Sequence, residues 1–256
     1  MERIENCFKN LRSNNKKGLV SYTMAYDPDY ATSFEALKTL TSNGVDMLEI
    51  GMAFSDPMAD GTTIQAAGQR ALANKSNVFK VLDLVVEYRK HDNKTPIILM
   101  GYYNPILQIG VEEFIKIAKQ KGVDGVIIVD VPLEEQYKIH HYFKENKFAF
   151  INLIAPTTGE KRIKEILELA LGFVYIISVT GVTGTKSVNF ENISKTASII
   201  KSNSDIPIVS GFGINNADGV KEAAKFSDAV VVGSAIIKKL HQDKNTLADF
   251  VKGLKS

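Results

Sequence analysis

The stretch LVSYTMAYDPDY, residues 19–30, decides which kind of α/β fold the chain can form. Its first half is apolar and rich in β-formers, as a strand buried on both faces must be. Its second half leaves the strand through a turn that carries Pro28 and no glycine. A doubly wound, dinucleotide-binding sheet would place G-x-G-x-x-G at that turn, letting backbone approach a pyrophosphate. That open sheet is the structural runner-up, and its fingerprint is missing here.

Seven further runs of the same kind follow: DMLEIG (46–51), PIILMGY (96–102), DGVIIVD (124–130), FAFINLI (148–154), FVYIISV (173–179), IPIVSGF (206–212) and DAVVVG (228–233). Between them lie segments of 3.6-residue periodicity, such as VFKVLDLVVEYRKH, VEEFIKIAKQKG, LEEQYKIHHYFKEN and KRIKEILELALG. Each is long enough for a crossover helix. Eight strand-helix units with no linker between them predict one (β/α)8 barrel over residues 1–256, with an extra helix at the N-terminus.

Proline placement orients the barrel. Pro96 and Pro207 open strands, where a missing N–H is tolerated, whereas Pro28, Pro57, Pro105, Pro132 and Pro156 fall just past strand ends. The stiffened loops therefore share one rim, the rim on which barrels of this kind build their sites.

Composition excludes several classes of function. Net charge is +2, from 31 basic and 29 acidic residues, so no field favours nucleic acid or anionic lipid as partner. The opening MERIENCFKNLRSNNKKG lacks an apolar targeting core, and no later run is long enough to span a membrane, which points to the cytoplasm. The single cysteine, Cys7, reads as a packed thiol. His91, His140, His141 and His241 fall in charged, helix-like stretches without metal-ligand spacing and read as surface residues.

Three acids surround the end of the second strand, in MLEIGMAFSDPMADGTTIQ (47–65). Glu49 lies within the strand itself. Burial pushes a carboxyl's pKa up unless a cation pairs with it, and no basic residue occupies any strand core to do so. Glu49 is therefore a candidate general acid-base, against the alternative of a structural ion pair. Asp60 has two readings of equal weight: a second working acid, or the N-cap of the helix that begins at TTIQ. Asp56 reads as a turn residue or a rim contact to another protein.

A second constellation occupies the last third. TGVTGT (180–185), GFGI (211–214) and GSAIIKK (233–239) each follow a strand. Glycines at three successive strand ends, the last opening a helix, suit a backbone cradle for phosphate. TGVTGT also suits a lid. Around the rest of the rim Tyr22, Tyr102, Ile127, Leu153, Tyr175 and Phe212 could line a pocket for a flat aromatic molecule, or serve as core. A Schiff-base mechanism would need a lysine at a strand end, and none carries one; Lys186 lies beyond the glycine loop. Acid-base chemistry on a phosphorylated substrate is what these residues leave.

Taken in order, LEIGMAFSDPMADGTTIQ, MGYYNPI, GVIIVDVPLEE, APTT, SVTGVTG, GFGI and GSAI resemble the α subunit of tryptophan synthase along the whole chain. The resemblance implies retro-aldol cleavage of indole-3-glycerol phosphate to indole and glyceraldehyde 3-phosphate, with no cofactor and no metal in this chain. It implies Glu49 as the acid-base residue, Asp60 as the group holding the indole N–H, and Tyr175 as an aid near the reacting side chain. Thr183 would close over Asp60, and backbone at Gly184, Gly213, Gly233 and Ser234 would bind phosphate. It further implies an αββα assembly with a pyridoxal-phosphate-bearing β subunit, contacted by Asp56, Pro57, Asn104, Pro105 and Pro132. Three residues depart from the usual pattern: Tyr26 replaces a glycine, and Ala53 and Thr62 each replace a proline. A stand-alone lyase and a non-catalytic activator of a partner are the competing readings.

Overall fold

Parallel strands form at Gly18–Met24 (β1), Met47–Gly51 (β2), Ile97–Gly101 (β3), Gly125–Ile128 (β4), Ala149–Phe150 (β5), Asn152–Ile154 (β6), Val174–Ile177 (β7), Ile208–Gly211 (β8) and Ala229–Val232 (β9). They are seen in a computed structural model that describes residues 1–177, 190–211 and 213–255. The sheet order is β5-β4-β3-β2-β1-β9-β8-β7-β6. Its two end segments are consecutive in the chain, separated by Ile151 alone. They are two halves of one strand: β5 pairs with β4, β6 pairs with β7, and the Ile151 amide donates to Val126 O at 2.9 Å. The sheet thus closes as the eight-stranded barrel that the βα repeat predicts.

Helices alternate with the strands: Glu2–Ser13 (α1), Tyr30–Ser42 (α2), Thr62–Ala73 (α3), Val78–Arg89 (α4), Tyr103–Ile109 (α5), Val111–Gln120 (α6), Leu133–Glu145 (α7), Glu160–Leu169 (α8), Phe190–Lys201 (α9), Ala217–Ala224 (α10), Ser234–Asp243 (α11) and Leu247–Leu254 (α12). Several start on side-chain caps. Asp29 accepts the Thr32 amide at 2.7 Å to begin α2, and Asn77 accepts the Lys80 amide at 3.0 Å to begin α4, each satisfying an amide that no helical carbonyl can reach. Among the described residues no helix is long and apolar enough to cross a membrane.

Every strand carries apolar residues on both faces, and the period-two alternation sorts them. Leu19, Leu48, Ile50, Ile97, Leu99 and Val126 pack outward against the helices. Val20, Tyr22, Met24, Met47, Ile98, Met100, Ile127 and Val231 fill the barrel interior. Glu49, two residues from Met47, shares the inward register.

The N-terminal end of the barrel is sealed by α1. Ile4, Phe8 and Leu11 are buried in the interior cluster, with Phe8 edge-on to Phe173 at 5.8 Å. Polar bonds fix the seal: buried Asp124 accepts Arg3 Nη1 at 3.0 Å, Arg89 Nη2 at 2.9 Å and the Ile97 amide at 2.9 Å. Burial lowers the Arg89 guanidinium to about 10, against the opposing pull of Asp124. Cys7 lies half-buried in this seal; its Sγ donates to Asp46 O at 3.4 Å, and burial pushes the thiol up to about 12. It is a packed thiol.

Candidate active site

At the opposite rim a cavity of about 160 Å³ enters the barrel, room for an organic molecule rather than for one or two waters. Tyr22 on β1 and Glu49 on β2 are register partners on its wall. Side-chain-free positions make space for the aromatic rings. A Cβ on Gly51 would collide with the Tyr22 hydroxyl, and one on Gly211 with the Tyr175 hydroxyl, so only glycine lets these rings lie across neighbouring strands.

Glu49 is 3% exposed. Burial pushes its carboxyl up to about 8, and among the described residues no ion pair opposes that shift. The alternative of a structural ion pair is not what the geometry contains. At neutral pH the group is protonated, able to give a proton and then take one back. Tyr175 lines the same cavity; burial first, and then the nearby Glu49 charge, hold its hydroxyl well above the ordinary phenol value.

Asp60 is buried just before α3 and is not its N-cap. That place belongs to Gly61. Burial raises its carboxyl to about 6, and a hydrogen bond from the Tyr102 hydroxyl partly offsets the rise. The same hydroxyl accepts the Ala59 amide at 3.1 Å, and the Tyr102 ring stacks on Phe54 at 5.2 Å. Tyr102 therefore braces the acidic loop. Asp60 stands beside the described cavity wall, where its charge is the largest one acting on the Tyr22 hydroxyl.

Across the cavity lie Gly213, Asn215 and the start of α11 at Gly233 and Ser234. Gly213 has φ +82°, a left-handed backbone that glycine adopts without strain. The first amides of α11 face the opening without helical acceptors, a ready site for an anion. Lys238, one helical turn on from Ser234, lines the same wall. Sequence reading missed Lys238, Asn215, Ile64 and Met100; the four-residue spacing from Ser234 was the available signal for Lys238. Ile127 and Leu153 belong to the interior cluster below the cavity. Thr183, Gly184, Phe212 and the stretch TGVTGT lie outside the described residues.

The remaining rim is exposed. Asp56 accepts from Ser55 Oγ at 2.5 Å beside half-buried Pro57, Asn104 and Pro105 sit in the first turn of α5, and Pro132 is the N-cap residue of α7. Large apolar side chains stand among them: Met58 is 76% exposed, Leu107 52% and Tyr137 50%. Among the described residues no group of three or more His, Cys, Asp or Glu could hold a metal ion.

Of the four histidines read as surface residues, His91, His141 and His241 are exposed and His140 is half-buried. His241 Nε2 lies 3.0 Å from Asp27 Oδ2, a carboxylate only 1% exposed, and His140 buries its Nε2. Helical spacing shows that a histidine rides a helix, not what the helix faces.

Fold and site together define a (β/α)8 barrel equipped for acid-base chemistry at its mouth. The profile of the tryptophan synthase alpha chain family matches residues 8–255. Solved structures agree. A protein from Aquifex aeolicus is 42% identical with a TM-score of 0.93, covering 99% of this chain and 97% of its own. Tryptophan synthase subunit alpha from Legionella pneumophila is 33% identical with a TM-score of 0.89, at 99% and 97% coverage. Tryptophan synthase from Mycobacterium tuberculosis is 30% identical with a TM-score of 0.92, at 99% and 96%. The chain belongs to the tryptophan synthase alpha chain family. Tyr26 has φ +66°, a conformation that costs a side-chain-bearing residue about 1–2 kcal/mol.

Proposed function

We propose that this chain cleaves indole-3-glycerol phosphate into indole and glyceraldehyde 3-phosphate in the cytoplasm, as the α subunit of a tryptophan synthase. The observation that carries the reading is the pairing of a carboxyl held near 8, Glu49, with one held near 6, Asp60, at one barrel mouth. Two acids whose environments separate their proton affinities are what a reaction needs when it must give a proton at one atom and take one from another.

Glu49, protonated at neutral pH, gives its proton to indole C3 as the bond from C3 to the side chain breaks. Now ionised, it accepts the proton of the side-chain hydroxyl, whose carbon becomes the aldehyde. The enzyme ends as it began. Asp60, ionised above about 6, holds the indole N–H and stabilises positive charge on the ring as C3 is protonated. Tyr175, kept as a neutral phenol, donates toward the reacting side chain. Tyr22 flanks the ring, and Gly213, Gly233 and Ser234 hold the phosphate with backbone amides. The reaction uses this chain's own side chains.

The exposed apolar residues around Asp56, Pro57, Asn104, Pro105 and Pro132 support docking of a β subunit on this rim. That partner carries pyridoxal phosphate and receives the indole in an αββα assembly. The test is indole release from indole-3-glycerol phosphate, with and without a β subunit. Glu49→Gln and Asp60→Asn should each lose about 10²- to 10⁴-fold in rate. Near-normal rates in either variant would remove that residue from the mechanism.

A further inference from the structure

A charge cluster built on buried Asp27 ties together the two helices that frame the cavity. Asp27, three residues beyond β1 and 1% exposed, accepts Arg70 Nε at 2.7 Å and Arg70 Nη2 at 3.1 Å. His241 Nε2 lies 3.1 and 3.0 Å from the two Asp27 oxygens and 2.7 Å from Arg70 Nη2. Arg70 belongs to α3, the helix that starts two residues after Asp60 and sends Ile64 to the cavity wall. His241 belongs to α11, the helix whose first turn carries Ser234 and whose second sends Lys238 to that wall. Asn74, at the end of α3, also donates to Pro28 O.

Either protonation arrangement of the imidazole keeps α11 in the cluster. With a proton on Nε2, His241 donates to Asp27; without it, Nε2 accepts from Arg70, which keeps its protons throughout. The bidentate Arg70 contact fixes direction as well as distance. A carboxylate this deeply buried, gripped from two helices, sets the span between the start of α3, beside Asp60, and the amides that open α11.

We propose that Asp27, Arg70 and His241 are positioning residues for the reaction, with the Arg70 arm holding the Asp60 side of the site and the His241 arm holding the anion-binding turn of α11. The proposal rests on the reading of the site given above, and none of the three side chains lines the cavity. A small shift of α11 moves the phosphate and leaves the acids in place, so the His241 arm acts on substrate binding. A shift of α3 moves Asp60 relative to the ring, so the Arg70 arm acts on turnover.

Steady-state indole release by the full chain tests this with His241→Ala, His241→Gln and Asp27→Asn, alongside calorimetric affinity for glycerol 3-phosphate. His241→Ala should raise KM for indole-3-glycerol phosphate about tenfold with kcat within about twofold, and weaken glycerol 3-phosphate about tenfold. His241→Gln, whose amide reaches the place of Nε2 and can donate or accept, should restore both to within about threefold of wild type. Asp27→Asn should lower kcat and raise KM together. A folded His241→Ala with wild-type KM and anion affinity overturns the proposal, as does a defect that glutamine fails to repair. If Asp27→Asn does not fold, the His241 pair decides alone. A wild-type chain that binds glycerol 3-phosphate yet releases no indole would overturn the lyase reading while leaving the calorimetric arm to judge the cluster.

Discussion

The Tyr102 hydroxyl holds the Asp60 carboxyl by a hydrogen bond while accepting the Ala59 amide at 3.1 Å, so one phenol sets both the place and the proton affinity of a buried acid. Without that bond the Asp60 carboxyl would rise above its value of about 6, because burial would act unopposed. Tyr102→Phe should therefore move the acidic limb of the kcat/KM profile to higher pH, with a loss of about tenfold in kcat/KM below pH 6. A limb that stays where it is would separate Asp60 from the ionisation that limits the rate.

Glu49 makes a prediction about stability with a definite sign. Its carboxyl titrates near 4.5 when solvated and near 8 in the folded chain. Between those values the native state keeps a proton that the unfolded state has released, so rising pH costs stability across that window. Glu49→Gln abolishes this titration. The variant's stability relative to wild type should grow by about 4 kcal/mol from pH 5 to pH 8, read from urea midpoints at each pH. A gap that is constant, or narrows, contradicts a protonated Glu49.

Thr62 is the first residue of α3, and Gly61 before it has ψ 168°. A proline fits there, because the first amide of a helix has no helical acceptor and the preceding residue is already extended. Thr62→Pro should stabilise the chain by about 0.4–1 kcal/mol, or roughly 1–4 °C in Tm for a protein of this size. Scanning calorimetry reads it directly; a fall in Tm would mean that the Thr62 amide or side chain has a partner in the native state.

Asp124 provides the complementary case at the closed end. Removing its carboxylate leaves Arg3 and the buried Arg89 without their shared partner, at a cost of about 3–5 kcal/mol. Asp124→Ala should unfold at markedly lower urea, yet release indole with kcat within about twofold of wild type when folded. A large kcat defect in the folded variant would show that the two rims are coupled.

The barrel was readable in the chain because its strands alternate with helices and carry apolar residues on both faces. The inward direction of Glu49 follows from the same alternation, since Met47 and Gly51 flank it two residues away. The break of one strand into β5 and β6 was not readable, as FAFINLI is continuously apolar. Nor was α5, seven residues with Pro105 in its first turn, where a proline costs a helix nothing. The Asp27 cluster joins residues 43 and 214 positions apart, a separation that no local pattern records. Asp60 shows the limit from the other side: its residue type suited an N-cap, and the helix begins one residue too late for that role.

One consequence follows from α1. By wedging Ile4, Phe8 and Leu11 beneath the interior cluster, it stoppers the barrel at its N-terminal end. A product formed at the cavity is barred from that end. Traffic is then left to the opposite rim, where the cavity opens.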